Sequence, residues 1–335
     1  MAADHGKVSW HNTVVRIVAG TATHPIEYAK FLIQIGHEPI APHQSVTLFG
    51  RPALALPNVF KYLRHIKKVD GLSGCYRGLG LRLISQSVYV YANICTEEVL
   101  KIHDIFQNEK VVKAPSATIE DENSEDSEEE DDEEGLYDEA VPMNEKSIRF
   151  LRHISAKITC RTIGVIVSQP FHVAALRAMA QFVGRETRYN GVMSSIVGIY
   201  KESGISGFWS GLSPRLVGEI ATVTIGTSLT FLFRSYIVHD KNIGAIVGGL
   251  MGFVASTLTY PFHVVTSCMS IRGTSLKAAH PANMPGVYTS WIGCWKYLQA
   301  EGQLSRGSSL LWRYYPGPQV IIGGRAIPLE PFKAY

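Results

Sequence analysis

Seven polar or ionisable side chains stand inside otherwise apolar stretches: Glu27, Lys30 and Gln34 near the start, His172 and Arg177 at mid-chain, Arg215 and Glu219 beyond. A charge at mid-bilayer costs on the order of 2.5–3.5 kcal/mol on insertion scales, so in a membrane protein such groups face the bundle interior or water. Glu219, flanked by Leu216, Val217, Ile220 and Ala221, is set well inside its stretch. These residue types bind or solvate charge, and no nucleophile, base or metal constellation accompanies them. The five cysteines, Cys75, Cys95, Cys160, Cys268 and Cys294, are too scattered for a C-x-x-C or zinc site. Their odd number offers no disulfide framework and points to a reducing compartment. The expected chemistry is solvation of polar groups in an apolar surround, without a covalent catalyst, cofactor or metal.

The elements that must position these residues are long and apolar. Over residues 243–271 the only member of the Asp, Glu, Lys, Arg and His set is His263, and the stretch exceeds the roughly 20 residues that span a bilayer core. Gly244, Gly248, Gly252 and Ser256 recur every fourth position and offer a neighbouring helix close approach. Four weaker spans are expected at about residues 10–35, 78–99, 154–183 and 212–238. Three of the five are broken by proline in a similar setting: Thr23-His24-Pro25, Ser168-Gln169-Pro170 and Thr259-Tyr260-Pro261. Each proline removes a backbone donor, so a kink is expected there.

The breaks belong to a repeat. A short amphipathic segment follows each: Phe60, Leu63 and Ile66 in the first copy, Val192, Ile196, Ile199 and Tyr200 in the second, and Tyr288, Trp291, Ile292, Trp295 and Leu298 in the third. A glycine turn comes next, at Gly71 to Gly78, Gly204 to Gly211 and Gly302 to Gly307. No G-x-x-x-x-G-K-[ST] occurs, so these are turns and not phosphate loops.

Composition agrees with a membrane bundle: 46% hydrophobic and 18% charged residues in 335. The mean hydropathy of +0.05 is low for that class. Part of the deficit is one segment, residues 120–139, which holds fourteen carboxylates and no Lys or Arg and leaves the remaining chain strongly basic. It reads as a solvated loop, with docking of basic client tails as the alternative use and Ser124 and Ser127 as phosphorylation candidates. Residues 1–10 are polar and lack a signal core or Arg-rich presequence, so targeting information is expected to be internal.

Pro25-Ile26-Glu27-Tyr28-Ala29-Lys30 fits P-x-[DE]-x-x-[KR], and in this the chain resembles the mitochondrial carrier family (solute carrier 25). That resemblance implies three repeats of two transmembrane helices and one surface helix about a threefold pseudo-axis. In the other copies His172 and Ala175, and His263 and Thr266, replace the charged pair, so the salt-bridge ring that gates a transporting carrier is not expected. The runs Gln169-Pro170-Phe171-His172-Val173, Gln181-Phe182-Val183-Gly184-Arg185-Glu186, Tyr288-Thr289-Ser290-Trp291 and Ser305-Arg306-Gly307-Ser308-Ser309-Leu310 resemble its mitochondrial carrier homologue branch. That likeness implies the outer mitochondrial membrane, insertion of α-helical and tail-anchored proteins, and links to apoptosis and lipid scrambling.

A last span is expected to be missing. Residues 308–335 contain Pro316, Pro318, Pro328 and Pro331 with Arg313, Arg325, Glu330 and Lys333, and cannot supply one. The expected architecture is an all-α multi-pass bundle: carrier-like repeats at 1–110, 146–239 and 240–335, with an acidic disordered insert at 111–145. Five spans would leave a gap between the first and fifth helices and put the N-terminus opposite the tail. Glu27, Lys30, Gln34, His172, Arg177, Arg215 and Glu219 would line a polar groove open to lipid. Alternatively, Lys30 and Glu219 are paired or snorkelling ions that only hold the bundle together. The expected partners are membrane lipids, hydrophobic helical clients and apoptotic regulators, with no nucleic acid. A small-solute exchanger and a non-catalytic receptor for apoptotic proteins are the competing functions.

Overall fold

The structure, a computed structural model, describes residues 10–47, 49–102, 143–236, 241–279, 290–323 and 325–329. The acidic insert and Tyr288 lie outside the described residues. Nine helices are described: α1 (Trp10–Gln34), α2 (Val59–Gly74), α3 (Leu79–Ile102), α4 (Met143–Ala180), α5 (Val192–Ser203), α6 (Leu212–Tyr236), α7 (Lys241–Leu258), α8 (Tyr260–Ile271) and α9 (Trp291–Ala300). Two helical stretches, Glu145–Ala180 and Ile205–Tyr236, are long and apolar enough to cross a bilayer, and Ile246–Leu258 is a shorter apolar helix. Helices α1 and α3 have the length, at 25 and 24 residues, but carry more polar side chains.

Pro25 and Pro170 sit inside continuous helices. The third break behaves differently: residues 243–271, read as one span, form α7 and α8, interrupted at Thr259. Pro261 lacks the N–H that would continue the ladder there. Thr259 is held by its own side chain, bonded to Ala255 O (2.9 Å) and to Thr222 Oγ1 (2.6 Å).

The described chain separates into two compact units, each drawing on all three repeats. One unit comprises residues 1–15, 88–167 and 218–259. In it, α6 and α7 approach through small residues: a Cβ on Gly226 would touch Ala255 at 3.5 Å, and one on Gly248 would touch Thr230 at 3.9 Å. Ser256 is off this strip, exposed and bonded to Phe253 O, and the buried Ala255 takes its place. The other face of α7 exposes Ile246, Leu250, Phe253 and Leu258, as a lipid-facing surface would.

The second unit, residues 16–87, 168–217 and 260–335, holds the larger core, including Tyr28, Leu32, Ile66, Val173, Val264 and Leu298. The short helices α2, α5 and α9 pack on it, but with rotated faces. Tyr62 and Ile66, Ser195 and Ile199, and Cys294 and Leu298 point inward, while Phe60, Tyr200 and Ile292 are exposed.

One device recurs in all three repeats of this unit. The residue before each proline donates to the carbonyl just before a turn glycine: His24 Nε2 to Arg77 O (3.1 Å), Gln169 Nε2 to Ser210 O (3.0 Å) and Tyr260 Oη to Arg306 O (2.7 Å). The glycines, all at positive φ, then abut the odd helix of the following repeat. A Cβ on Gly78 would meet Ala175 O at 3.1 Å, on Gly211 Thr266 O at 3.0 Å, and on Gly307 the Ile33 side chain at 3.4 Å. Only a residue without Cβ fits both conformation and space. The third repeat keeps this joint although, among the described residues, no helix follows α9.

In place of a helix, the tail forms β structure that the all-α expectation omitted. Strands β1 (His43–Val46) and β2 (Pro52–Ala55) make one antiparallel hairpin, and β3 (Gln319–Ile322) and β4 (Arg325–Pro328) another. The tail lies along β2: Leu56 N donates to Arg313 O and Tyr315 N to Leu54 O, both at 2.8 Å. Arg313, 8% exposed, pairs with Glu38 and donates to Pro57 O at 2.9 Å. Proline at 316 and 318 excludes helix, and the pairing satisfies the freed backbone groups.

Candidate functional site

Polar side chains of five helices meet in the second unit. From α1 come Glu27 and Lys30, from α3 Arg82, from α4 Gln169 and His172, from α6 Arg215, and from α8 His263. Glu27 forms an ion pair with Arg82 and is 3.5 Å from Thr23 Oγ1. Lys30 Nζ lies 5.0 Å above the Tyr260 ring. A cation over an aromatic face contributes about 0.5–2 kcal/mol, more as water is excluded. Arg215 Nη1 donates to the buried Gln169 Oε1 at 2.7 Å. Arg215, Arg82 and His263 all act on the His172 ring. Glu27 and Lys30, Arg82 and Arg215, and His172 are half-buried, and His263 is exposed. With one carboxylate against three Lys or Arg and two imidazoles, the cluster favours anionic or polar groups.

Two expected groove residues belong to the packing instead. Arg177 is fully buried, and donates from Nε to Ser270 O (3.2 Å) and from Nη2 to Gly207 O and Ser210 Oγ (both 3.3 Å). Its guanidinium ties α4 to α8 and to the second glycine turn through Nε and Nη2, while Nη1 is buried without a hydrogen-bond partner among the described residues. Gln34 is 7% exposed and sits in a seam between α1 and α8. Its Nε2 donates to Tyr260 Oη at 3.0 Å, and its Oε1 accepts from Ser267 Oγ at 2.9 Å. At this level the first and fifth spans are therefore joined, where a gap was expected.

Glu219 belongs to the first unit, where it faces Arg161 at 3.9 Å, a loose ion pair. Arg161 also donates to Tyr89 Oη at 2.6 Å. Lys30 and Glu219 thus have their own partners, Tyr260 and Arg161 respectively.

Sequence reasoning missed Arg82, Tyr260, His263 and Arg161 as members of these clusters. Arg82 had a signal: Gly78-Leu79-Gly80-Leu81-Arg82-Leu83 aligns with Gly211-Leu212-Ser213-Pro214-Arg215-Leu216. Tyr260 holds the position of His24 and Gln169 before the proline, which the repeat also exposes.

A three-repeat helical membrane bundle with proline-broken odd helices and glycine joints defines the carrier class of protein. The chain belongs to the mitochondrial carrier family: the model for mitochondrial carrier proteins matches residues 13–107 and 146–241, the first two repeats. It is 35% identical over 297 residues to "Mitochondrial carrier homolog 2" of Mus musculus, covering 87% of this chain and 89% of the relative. It is 33% identical over 314 residues to "Mitochondrial carrier homolog 1" of Mus musculus, covering 87% and 73%. These place it in the carrier homologue branch. The likeness to "Mitochondrial uncoupling protein 4" of Arabidopsis thaliana is 22% over 320 residues, covering 87% and 86%.

Proposed function

We propose that this protein is an insertase of the outer mitochondrial membrane for α-helical clients, tail-anchored ones included. The observation that carries the reading is the basic cluster of half-buried Lys30, Arg82, His172 and Arg215 with the exposed His263, in a carrier bundle whose third repeat shows no second long helix among the described residues. A client helix enters lipid readily, but each charge of its flanking tail costs several kcal/mol to move through hydrocarbon. Fixed cations, imidazoles and their water lower that barrier, and carboxylates or polar backbone in the tail are the groups they favour. Lipid headgroups have the same chemistry, so scrambling follows from the same geometry. No covalent step is required.

The carrier mechanism needs a closable ring of ion pairs, and His172 and His263 occupy two of the three acidic positions. The single signature carboxylate, Glu27, pairs with α3 and not with an odd helix. A small-solute exchanger is disfavoured for that reason. The test is insertion of a tail-anchored client by purified protein in liposomes. Lys30→Glu and Arg215→Glu are expected to lower the initial rate severalfold in protein that thermal unfolding shows to remain folded at the assay temperature. Wild-type rates in both variants would refute the reading, and client binding without insertion by the wild type would make the protein a receptor.

A further inference from the structure

The β-hairpins and the tail carry a surface that neither the core nor the polar cluster uses. Phe49, at the turn between β1 and β2, is 87% exposed, and Trp312 in the tail is 71% exposed. Val46, Ile321 and Ile322 are also exposed. A groove of about 300 Å³ between the first hairpin and the tail is lined by Val46, Trp312 and Tyr314 together with His43, Lys61 and Arg313. So many exposed large apolar residues on short strands are more than a water-facing surface tolerates without a use.

The charge around them is mostly positive, with Arg313 neutralised by its pair Glu38. Residues 39–69 and 303–329 contain eight Lys or Arg and no Asp or Glu. Arg51, Lys61 and Arg325 are exposed beside the apolar residues. Both hairpin turns repeat one arrangement, an apolar residue followed by glycine and then arginine: Phe49-Gly50-Arg51 and Ile322-Gly323-Gly324-Arg325. Strand β1 begins nine residues after α1 ends, and nine residues reach at most about 30 Å, so the hairpins cannot leave the neighbourhood of the bilayer surface.

We infer that the two hairpins and Trp312 form a membrane-surface anchor that inserts into the headgroup region of an anionic leaflet. The apolar tips, Phe49 and Ile322, enter the acyl boundary, the indole and phenol of Trp312 and Tyr314 lie at headgroup level, and Arg51, Lys61 and Arg325 contact lipid phosphates. A second copy is a poor occupant, because it presents the same cations. The anchor also gives the tail a role, since it takes the chain that would have formed a sixth span and lays it on the membrane.

The inference rests on the membrane fold and not on the insertase reading, and its test reads position, not activity. Full-length protein is reconstituted in single-copy nanodiscs of zwitterionic lipid or with added anionic phospholipid, and tryptophan emission is quenched with brominated lipid or aqueous iodide. Phe49→Trp is expected to add, and Trp312→Phe to remove, a component quenched by shallow brominated lipid, at least twofold stronger in anionic discs. Arg51→Glu with Arg325→Glu should abolish the dependence on anionic lipid. Thermal unfolding equal to wild type shows that these exposed substitutions leave the fold intact. Quenching of both positions by iodide and not by brominated lipid, in either lipid, would overturn the inference. Shielding that appears only at high concentration in detergent would overturn it too, in favour of a self-association surface.

Discussion

Tyr260 closes the seam between the first and fifth spans, and removing its hydroxyl should open it. Tyr260→Phe keeps the ring under Lys30 but deprives Gln34 Nε2 of its acceptor at 3.0 Å and Arg306 O of its donor at 2.7 Å. A buried group left unpaired costs about 1–3 kcal/mol in water-soluble proteins, and interhelical bonds in membranes average about 0.6 kcal/mol. Two such bonds should therefore be worth about 2 kcal/mol. At 1.4 kcal/mol per decade, the population of the opened seam rises roughly 30-fold. Hydrogen exchange in nanodiscs reads this directly at the amides of the third glycine turn, residues 303–308. Gln34→Leu should destabilise the same seam, and the double variant should be markedly less than additive, because both changes remove one shared bond. Exchange within twofold of wild type in Tyr260→Phe, or additive costs in the double variant, would refute the seam as described. If opening also limits client entry, insertion should accelerate in Tyr260→Phe.

Three further outcomes follow from the packing. Arg177→Met should lower stability by about 1–3 kcal/mol, since Ser270 O loses its buried side-chain donor while Gly207 O keeps only the Ser210 N–H; thermal unfolding in detergent measures this, and a loss under about 0.5 kcal/mol would contradict the tie. Gly211→Ala should cost more than Gly204→Ala by at least about 1 kcal/mol: both are at positive φ, but only at Gly211 would the new Cβ meet backbone, 3.0 Å from Thr266 O. His37, in the segment after α1, has its pKa lowered from 6.5 to about 4, chiefly by burial and then by His65 and Lys277. The unfolded chain therefore binds the proton first, so stability is full above about pH 6.5 and falls toward pH 4 by at most about 3 kcal/mol. In His37→Phe that part of the acid titration should disappear, and an unchanged pH profile of unfolding would refute it.

The chain's own residues determined the repeat, and through it most of the architecture. Proline position, small-residue spacing and glycine turns are local requirements of backbone geometry, so Pro25, Pro170 and Gly211 were legible without a structure, as was the unsuitability of residues 308–329 for a span. Lys30 and Arg215 could be placed in the polar cluster because charge inside apolar sequence must face inward. Which neighbour each charge meets was not legible. Arg177 and Lys30 look alike in sequence, yet one is buried under three acceptors and the other sits over an aromatic ring. Glu27 turned to Arg82, and Gln34 and Tyr260 joined helices that the count of spans alone would have left apart. The hairpins stayed hidden because their strands are only four residues long, too short for a periodic pattern, and the tail that lies along β2 comes from more than 250 residues away. Burial and partner choice depend on contacts between distant segments, and only the tertiary structure supplies those.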